Sequence, residues 1–147
     1  MNLLVNKGVN RSYEIIETVE AGIKLAGWEV KTLRQKHGSI KEAYVTINDE
    51  VFLVGAHIPP YQGGHKDLEN VDPYRPRKLL LSKDQIKQLT ESGKQRGLTV
   101  IPVRIYEKGS LIKVEIALAK GKKKYDKRND MKDRTARREA DRAIKNL

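Results

Sequence analysis

The sequence predicts a mainly β fold, a small closed antiparallel barrel with two interspersed helices, followed by a basic C-terminal tail. Short β-rich runs recur at close spacing, and Leu111 to Ala119 alternates in hydropathy most clearly. Closure into a barrel is the economical arrangement because it removes exposed strand edges. The length of 147 residues suits one such domain and an appendage.

The first half of the chain contains the patterns of a strand, a helix and a hairpin. Tyr13 to Lys24 alternates in hydropathy and favours a strand, which Gly27 interrupts. Trp28 to Gln35 has a near-helical spacing of apolar side chains and predicts a short helix. Ala43 to Ile47 and Val51 to Ile58 are β-rich runs around a short polar segment, which is the pattern of a hairpin.

The second half begins with a long loop and continues with a helix and two strands. Residues 59–76 carry four prolines, and loops of this length are typically functional or disordered. Leu79 to Leu81 is predicted to be a buried segment. Ser82 is followed three residues later by a glutamine, the capping-box pattern that begins a helix. The next strand, Leu98 to Tyr106, contains Pro102, which predicts a bulge or an edge position there.

Basic residues outnumber acidic residues, 30 to 19, and the excess is concentrated in the tail. Residues 120–147 hold 12 basic and 5 acidic residues, a net charge of +7 out of +11 for the chain. This excess favours polyanionic partners, nucleic acid before anionic membrane, although a well-solvated basic protein is the alternative. A thin apolar stripe predicts a tail that is disordered when free and helical on a partner. Its members are Ala136, Ala140, Ala143, Ile144 and Leu147.

The composition also excludes several classes of protein. The absence of cysteine excludes disulfides, thiolate zinc sites and cysteine nucleophiles. Met1 to Asn10 lacks the apolar core of a secretory signal, and no apolar run approaches the roughly 20 residues of a membrane helix. These observations predict a cytoplasmic protein without a membrane partner.

No residue pattern indicates catalysis. None of the three histidines lies near a nucleophile motif, and His57, within an apolar strand, is more typical of a core histidine. A weaker alternative is a metal site on the long loop. Its ligands would be His65, Asp67, Glu69 and Asp72. We therefore predict a binding protein, not an enzyme, with no cofactor, no metal and no small-molecule substrate.

Basic side chains beside an aromatic one point to RNA. Lys113 interrupts an apolar strand, so its ammonium group must point out of the sheet. Gly121 lies within a run of lysines that leads to Tyr125. The run consists of Lys120, Lys122, Lys123 and Lys124. Lysines bind phosphates as point charges, and a tyrosine ring offers a face on which an unpaired base can stack. The alternative is a solvated basic tether.

Five blocks of sequence carry a resemblance to a known family. They are Glu20-Ala21-Gly22, Gly27-Trp28-Glu29-Val30-Lys31, Gly55-Ala56-His57-Ile58, Arg75-Pro76-Arg77-Lys78-Leu79-Leu80-Leu81 and Ala119-Lys120-Gly121-Lys122-Lys123-Lys124-Tyr125-Asp126-Lys127-Arg128. From Asn6 to the tail the chain resembles the SmpB family, the bacterial proteins that partner transfer-messenger RNA, also called SsrA RNA.

The resemblance implies an OB-fold-like barrel over residues 1–124 with two or three flanking helices, and a flexible basic tail over residues 125–147 that is helical on the ribosome. It implies binding of the tRNA-like part of transfer-messenger RNA. The positions that match the family's RNA-binding residues are Asn6, Glu20, Lys24, Leu80, Lys113 and Gly121. It also implies delivery of this RNA to ribosomes stalled on mRNA without a stop codon, with the tail at the small-subunit decoding centre and in the empty mRNA channel. The tail residues implicated are Tyr125, Asp126, Lys127 and Arg128.

Glu20 is unusual among these positions because a carboxylate repels phosphate. We expect it either to orient Lys24 or to accept a hydrogen bond from a base edge or a ribose 2′-OH. Two other functions stay open from the residues alone. One is a barrel protein that binds RNA without preference, and the other is a metal-dependent enzyme that uses the loop site.

Overall fold

The computed structural model describes residues 1–60, 71–94 and 97–121. Within these residues the chain forms seven strands and three helices. The strands are β1 (Asn2–Val5), β2 (Tyr13–Ile23), β3 (Tyr44–Ile47), β4 (Val51–Val54), β5 (Arg77–Leu80), β6 (Leu98–Lys108) and β7 (Leu111–Gly121). The helices are α1 (Val9–Ser12), α2 (Gly27–Arg34) and α3 (Lys83–Gly93). The mainly β fold with flanking helices is confirmed.

The strands pair in a closed ring. The hydrogen-bonded order β6-β3-β4-β5-β2-β7 returns to β6, and every pairing is antiparallel. The remaining strand, β1, pairs with the second half of β6, where Leu4 lies opposite Ile105. The first half of β6 pairs with β3 through Val100 and Val45. The ring therefore leaves the long strands β2, β6 and β7 side by side as one broad surface.

Apolar side chains fill the inside of this ring. Leu53, Ile105 and Ile116 are fully buried there, and Leu33 of α2 and Leu89 of α3 pack into the same cluster. A smaller second cluster lies where Val9 of α1 packs with Ala117 of β7. Because both helices and strands contribute to the main cluster, burial of their apolar faces supplies most of the driving force for folding.

Several local predictions are confirmed by backbone geometry. The Ser82 hydroxyl accepts a hydrogen bond from the Gln85 amide at 3.2 Å, and the Gln85 side chain accepts one from the Ser82 amide at 3.0 Å. These two bonds form the capping box at the start of α3. The pairing of β6 with β7 shifts register between Pro102 and Arg104, which is the bulge predicted from the proline.

Other predictions were wrong. Leu80 is 53% exposed, so Leu79 to Leu81 is not a uniformly buried segment. Alternation in β5 buries Leu79 and turns Leu80 outward. The second hairpin strand ends at Val54 because Gly55 adopts φ +80 and turns the chain. His57 is therefore half-buried beside the ring of Tyr74, with centroids 4.8 Å apart, and is not a core histidine.

A buried ion pair joins α2 to β5. Glu29 and Arg77 are both fully buried, and the Arg77 Nε donates to Glu29 at 2.6 Å. The other two guanidinium nitrogens donate to the carbonyl oxygens of Ala56, at 2.7 Å, and Pro73, at 3.0 Å. Arg75 also donates to Glu29. Residues from three of the blocks that carry the family resemblance therefore meet in the interior.

Candidate nucleic-acid interface

The predicted RNA-binding residues fall into two groups at opposite ends of the β2–β7 ribbon. At one end Gly22 of β2 lies opposite Lys113 of β7, and at the other Tyr13 lies opposite Gly121. A strand rises about 3.3 Å per residue, so the two ends are on the order of 30 Å apart along β2. The Glu20 group consists of Glu20, Lys24, Leu80 and Lys113. The Asn6 group consists of Asn6, Lys120 and Gly121.

The Glu20 group is assembled by the register of three strands. Gly22 of β2 lies opposite Lys113 of β7 on one side and opposite Leu80 of β5 on the other. Glu20 lies two residues before Gly22 in the same strand. Lys24 follows directly after β2, where its amide donates to the Lys78 carbonyl at 2.9 Å and its side chain is exposed. Residues far apart in sequence therefore share one surface.

Gly22 makes room for the exposed leucine. A Cβ atom at residue 22 would lie 3.2 Å from the Leu80 Cβ and 3.5 Å from its Cδ1. The Leu80 side chain therefore lies against the bare backbone of β2, with half of its surface open. An apolar patch bordered by lysines suits the face of a base or a ribose, with phosphates reached by the lysines.

Glu20 is held by two partners on β6. The Tyr106 hydroxyl donates to one carboxylate oxygen, and the Lys108 ammonium donates to the other at 3.4 Å. The bond from Tyr106 lowers the pKa of Glu20, the charges of Lys108 and Lys113 lower it further, and partial burial opposes them. The carboxylate is therefore ionised at neutral pH. Its partners are not Lys24, so the expected role that remains is to accept a hydrogen bond from RNA.

Sequence reasoning missed the contribution of β6 to this surface. Beyond the bulge, Arg104, Tyr106 and Lys108 alternate along the strand and share its outer face. The Arg104 guanidinium carbon lies 4.1 Å from the centroid of the Tyr106 ring, and one of its nitrogens donates to Asn2 at 2.8 Å. Burial, followed by the bond to Glu20, raises the pKa of Tyr106 to about 12. The period-two spacing of these three residues was the signal available in the sequence.

The Asn6 group is built differently. Asn6 is buried, its side-chain amide donates to the Pro102 carbonyl at 2.9 Å, and its backbone amide donates to the Val103 carbonyl at 2.8 Å. These bonds attach the chain after β1 to the bulge of β6, so Asn6 supports the fold here. It also lines a cleft of about 490 Å³, whose charged lining residues are Lys7, Arg11, Lys41 and Glu42.

The end of β7 lies beside this cleft. Tyr13, another lining residue, is opposite Gly121, where an added Cβ would lie 3.9 Å from the Tyr13 ring. That distance is an ordinary van der Waals contact, so packing does not require glycine at this position. Lys120 is exposed opposite Glu14. The cleft and the last residues of β7 therefore form a second basic surface.

Several predicted residues lie outside the described part of the chain. They are Lys122, Lys123, Lys124, Tyr125, Asp126, Lys127 and Arg128, the apolar stripe of the tail, and His65, Asp67 and Glu69 of the alternative metal site. Asp72 is described, and its carboxylate accepts a hydrogen bond from the Tyr74 amide at 2.8 Å, which closes a turn. Among residues 1–60, 71–94 and 97–121, no helix is long and apolar enough to cross a membrane.

Comparison with known proteins yields consistent matches. A family model described as SmpB protein matches residues 3–146. A protein named SsrA-binding protein from Thermosipho africanus is 48% identical over 145 residues, which cover 97% of this chain and 96% of the relative. One of the same name from Ruminiclostridium cellulolyticum is 47% identical, covering 95% and 90%. A chain in a solved structure described as "tmRNA-SmpB: a journey to the center of the bacterial ribosome" is similar with a TM-score of 0.68 and 38% identity, covering 84% of this chain and 90% of that one.

Proposed function

This chain belongs to the SmpB family, and on that premise we propose that it binds the tRNA-like part of transfer-messenger RNA and delivers it to ribosomes stalled on mRNA without a stop codon. In this role it is a binding protein of the cytoplasm, not an enzyme. The relatives are named for binding SsrA RNA, and the similar structure concerns transfer-messenger RNA on the ribosome.

The observation that carries the proposal is the assembly of the Glu20 group. Three strands bring an ionised carboxylate, an exposed leucine and a lysine together around Gly22. Lysines alone bind any polyanion. A carboxylate among them repels phosphate and binds groups that donate a hydrogen bond. RNA offers such donors on unpaired bases and on the 2′-OH. This combination suits a folded RNA with an accessible loop better than a uniform duplex.

A competition experiment tests this function. Full-length protein bound to the labelled tRNA-like fragment is challenged with unlabelled fragment or bulk RNA at physiological salt. We expect the fragment to compete at least 100-fold better, which is within the usual range of specific over non-specific binding. Lys87→Ala, which changes an exposed lysine of α3, is the matched control and should bind as the wild type does. Equal competition by both RNAs would instead favour a barrel protein without RNA preference.

We propose a division of labour between residues 1–124 and residues 125–147. The body binds the RNA, and the tail acts at the decoding centre and in the empty mRNA channel, where Tyr125, Asp126, Lys127 and Arg128 make the first specific contacts. The charge pattern supports this division, since residues 125–147 carry 8 basic and 5 acidic residues, a net charge of +3 and a higher density of charged residues than residues 1–124. Attraction to ribosomal RNA follows from that charge.

Truncation after Lys124 separates the two parts. We expect the shortened protein to keep RNA affinity within about twofold, because the Glu20 group and the lysines up to residue 124 are retained. Peptide tagging on stalled ribosomes should be abolished. Both are measured on the same preparation, with the full chain as control. If the truncated protein tags normally, the proposed division is wrong.

A further inference from the structure

We propose that Tyr106 is a positioning residue of the RNA interface, whose hydroxyl fixes Glu20 so that the carboxylate accepts a hydrogen bond from an unpaired nucleotide. This inference rests on the proposed function, because it assigns the contact that the Glu20 group makes. The donor on the RNA is a ribose 2′-OH or a base N–H.

The Tyr106 side chain reaches Glu20 across β7. Tyr106 of β6 lies opposite Lys113 of β7, and Lys113 lies opposite Gly22 of β2. Glu20 is two residues from Gly22 on the same face of β2. For its hydroxyl to meet Glu20, Tyr106 must lie diagonally over the outer face of β7. The bond therefore ties together two strands that are not neighbours in this part of the sheet.

The Tyr106 side chain is itself held in place by Arg104. The Arg104 guanidinium lies on the ring, and its contact with Asn2 anchors it to β1. Only 7% of Tyr106 is exposed, so the ring offers no face for a base to stack on. A chain of contacts thus runs over the surface from Asn2 through Arg104 and Tyr106 to Glu20. Such pre-organisation lowers the entropy cost of binding.

The Glu20 carboxylate can accept further hydrogen bonds. A carboxylate has about four lone-pair sites. Tyr106 uses one, and the contact with Lys108 at 3.4 Å is long for a charge-assisted bond. The Glu20 side chain is 40% exposed, so an RNA donor can approach it. A phosphate cannot take this place, because it has no donor and carries the same charge.

The charged groups that face Glu20 come from β7, which pairs with β2, and from β6 on the far side of β7. Glu115 lies directly opposite it on β7, and like charges at such positions destabilise. Arg104 offsets this repulsion, since its guanidinium lies 3.5 Å from the Glu115 carboxylate. The remaining groups are Tyr106, Lys108 and Lys113, each of which lowers the pKa of Glu20. The site therefore favours an ionised acceptor.

The test is a coupling measurement with the full chain and the tRNA-like fragment. Tyr106→Phe removes the hydroxyl only, and we expect about tenfold weaker RNA binding, as for loss of a hydrogen bond to a charged group. Glu20→Gln should weaken binding to a similar degree. In the Glu20→Gln background, Tyr106→Phe should add less than about twofold, because the group that it positions has gone. The control, Tyr74→Phe, alters an exposed tyrosine beside His57 and should bind as the wild type does.

The pH profile distinguishes positioning from a structural role. Tyr106 is the largest contributor to the low pKa of Glu20, so its hydroxyl keeps the carboxylate ionised to lower pH. As pH falls from 7 to 4, Tyr106→Phe should lose affinity at a higher pH than the wild type. NMR titration of the Glu20 carboxyl carbon in the free proteins measures the same shift without RNA. If Tyr106 had only a structural role, Tyr106→Phe would alter thermal stability and leave the pH dependence of RNA affinity and the titration of Glu20 unchanged.

Modified RNAs identify the donor. A 2′-deoxy substitution removes the ribose hydroxyl, and inosine in place of guanosine removes the exocyclic amino group. The modification that weakens wild-type binding but leaves Glu20→Gln unchanged marks the contact. Additive effects of Glu20→Gln and Tyr106→Phe with identical pH profiles would overturn the inference while leaving selective RNA binding intact. Loss of selectivity by the wild type in the competition experiment would instead overturn the proposed function.

Discussion

Glu20 and Glu29 are both held by side chains distant in sequence, yet their surroundings differ. Glu29 is fully buried and accepts hydrogen bonds from Arg77, from Arg75 and, at 2.8 Å, from the Ala26 amide. Glu20 is 40% exposed and bonds to Tyr106 and Lys108. In the first network Glu29 and Arg77 are closed off from solvent and only Arg75 is partly exposed, whereas the carboxylate of the second network is itself open to solvent.

This difference separates a role in folding from the role in RNA binding that we propose for Glu20. Each of the three guanidinium nitrogens of Arg77 has an acceptor. Through these hydrogen bonds the buried arginine joins β5 to α2, to the segment that follows β4 and to the segment that precedes β5. The buried Glu29–Arg77 pair is therefore out of reach of a ligand. The Glu20 network is only partly satisfied, which costs little at the surface and leaves a carboxylate available to RNA.

The largest expected effect is a loss of stability on breaking the buried Glu29–Arg77 pair. Glu29→Gln removes the charge that compensates buried Arg77, and we expect a loss of about 3–5 kcal/mol in the free energy of unfolding. Chemical denaturation measures this loss. Glu50→Gln is the matched control, since Glu50 pairs with Lys78 at 3.2 Å on the surface and should change stability by less than about 0.5 kcal/mol. Equal stability of the two variants would show that the buried Glu29 pair contributes no more to stability than the surface pair of Glu50.

A smaller effect, on RNA affinity, is expected from a change in the shape of the surface at the Glu20 group. Gly22→Val places a branched side chain where the Leu80 side chain lies and should push it away. We expect RNA binding to weaken about fivefold, the equivalent of about 1 kcal/mol of apolar contact. The measurement is affinity for the tRNA-like fragment alongside thermal unfolding.

Gly27→Ala serves as the control for Gly22→Val, because no neighbouring atom lies within 4 Å of the added Cβ at residue 27. It should bind RNA as the wild type does. Unchanged affinity of a well-folded Gly22→Val protein would show that the position of Leu80 does not affect RNA binding. Binding at the Glu20 group would then depend on its charged residues alone.

The sequence predicted local structure better than it predicted either network. Alternation identified β2 and β7, and the capping box identified α3, because these signals depend on nearby residues. The short strand β1 was missed, since its four residues carry little periodicity and depend on pairing with β6. The exposure of Leu80 was obscured by the run of three leucines, although strict alternation in β5 accounts for it.

The contacts that define the two networks join residues distant in sequence. Tyr106 and Glu20 are 86 residues apart, and Arg77 and Glu29 are 48 apart. Neither spacing has a local signature, so only the closure of the strand ring brings the partners together. The resemblance to a family suggested Glu20 as an RNA-binding position, and the structure adds that Tyr106 and Lys108 of β6 hold its carboxylate.

The smallest expected effect concerns Lys113, a lysine of the Glu20 group. Lys113→Ala should weaken RNA binding about threefold and make the slope of log affinity against log salt less negative by about 0.7–0.9, the share of one phosphate contact. Binding measured at several salt concentrations between about 50 and 200 mM gives the slope. Lys87→Ala on α3 should leave the slope unchanged. If both lysine variants change the slope equally, charge anywhere on the body contributes alike, and the distinction between the Glu20 surface and the rest of the molecule is lost.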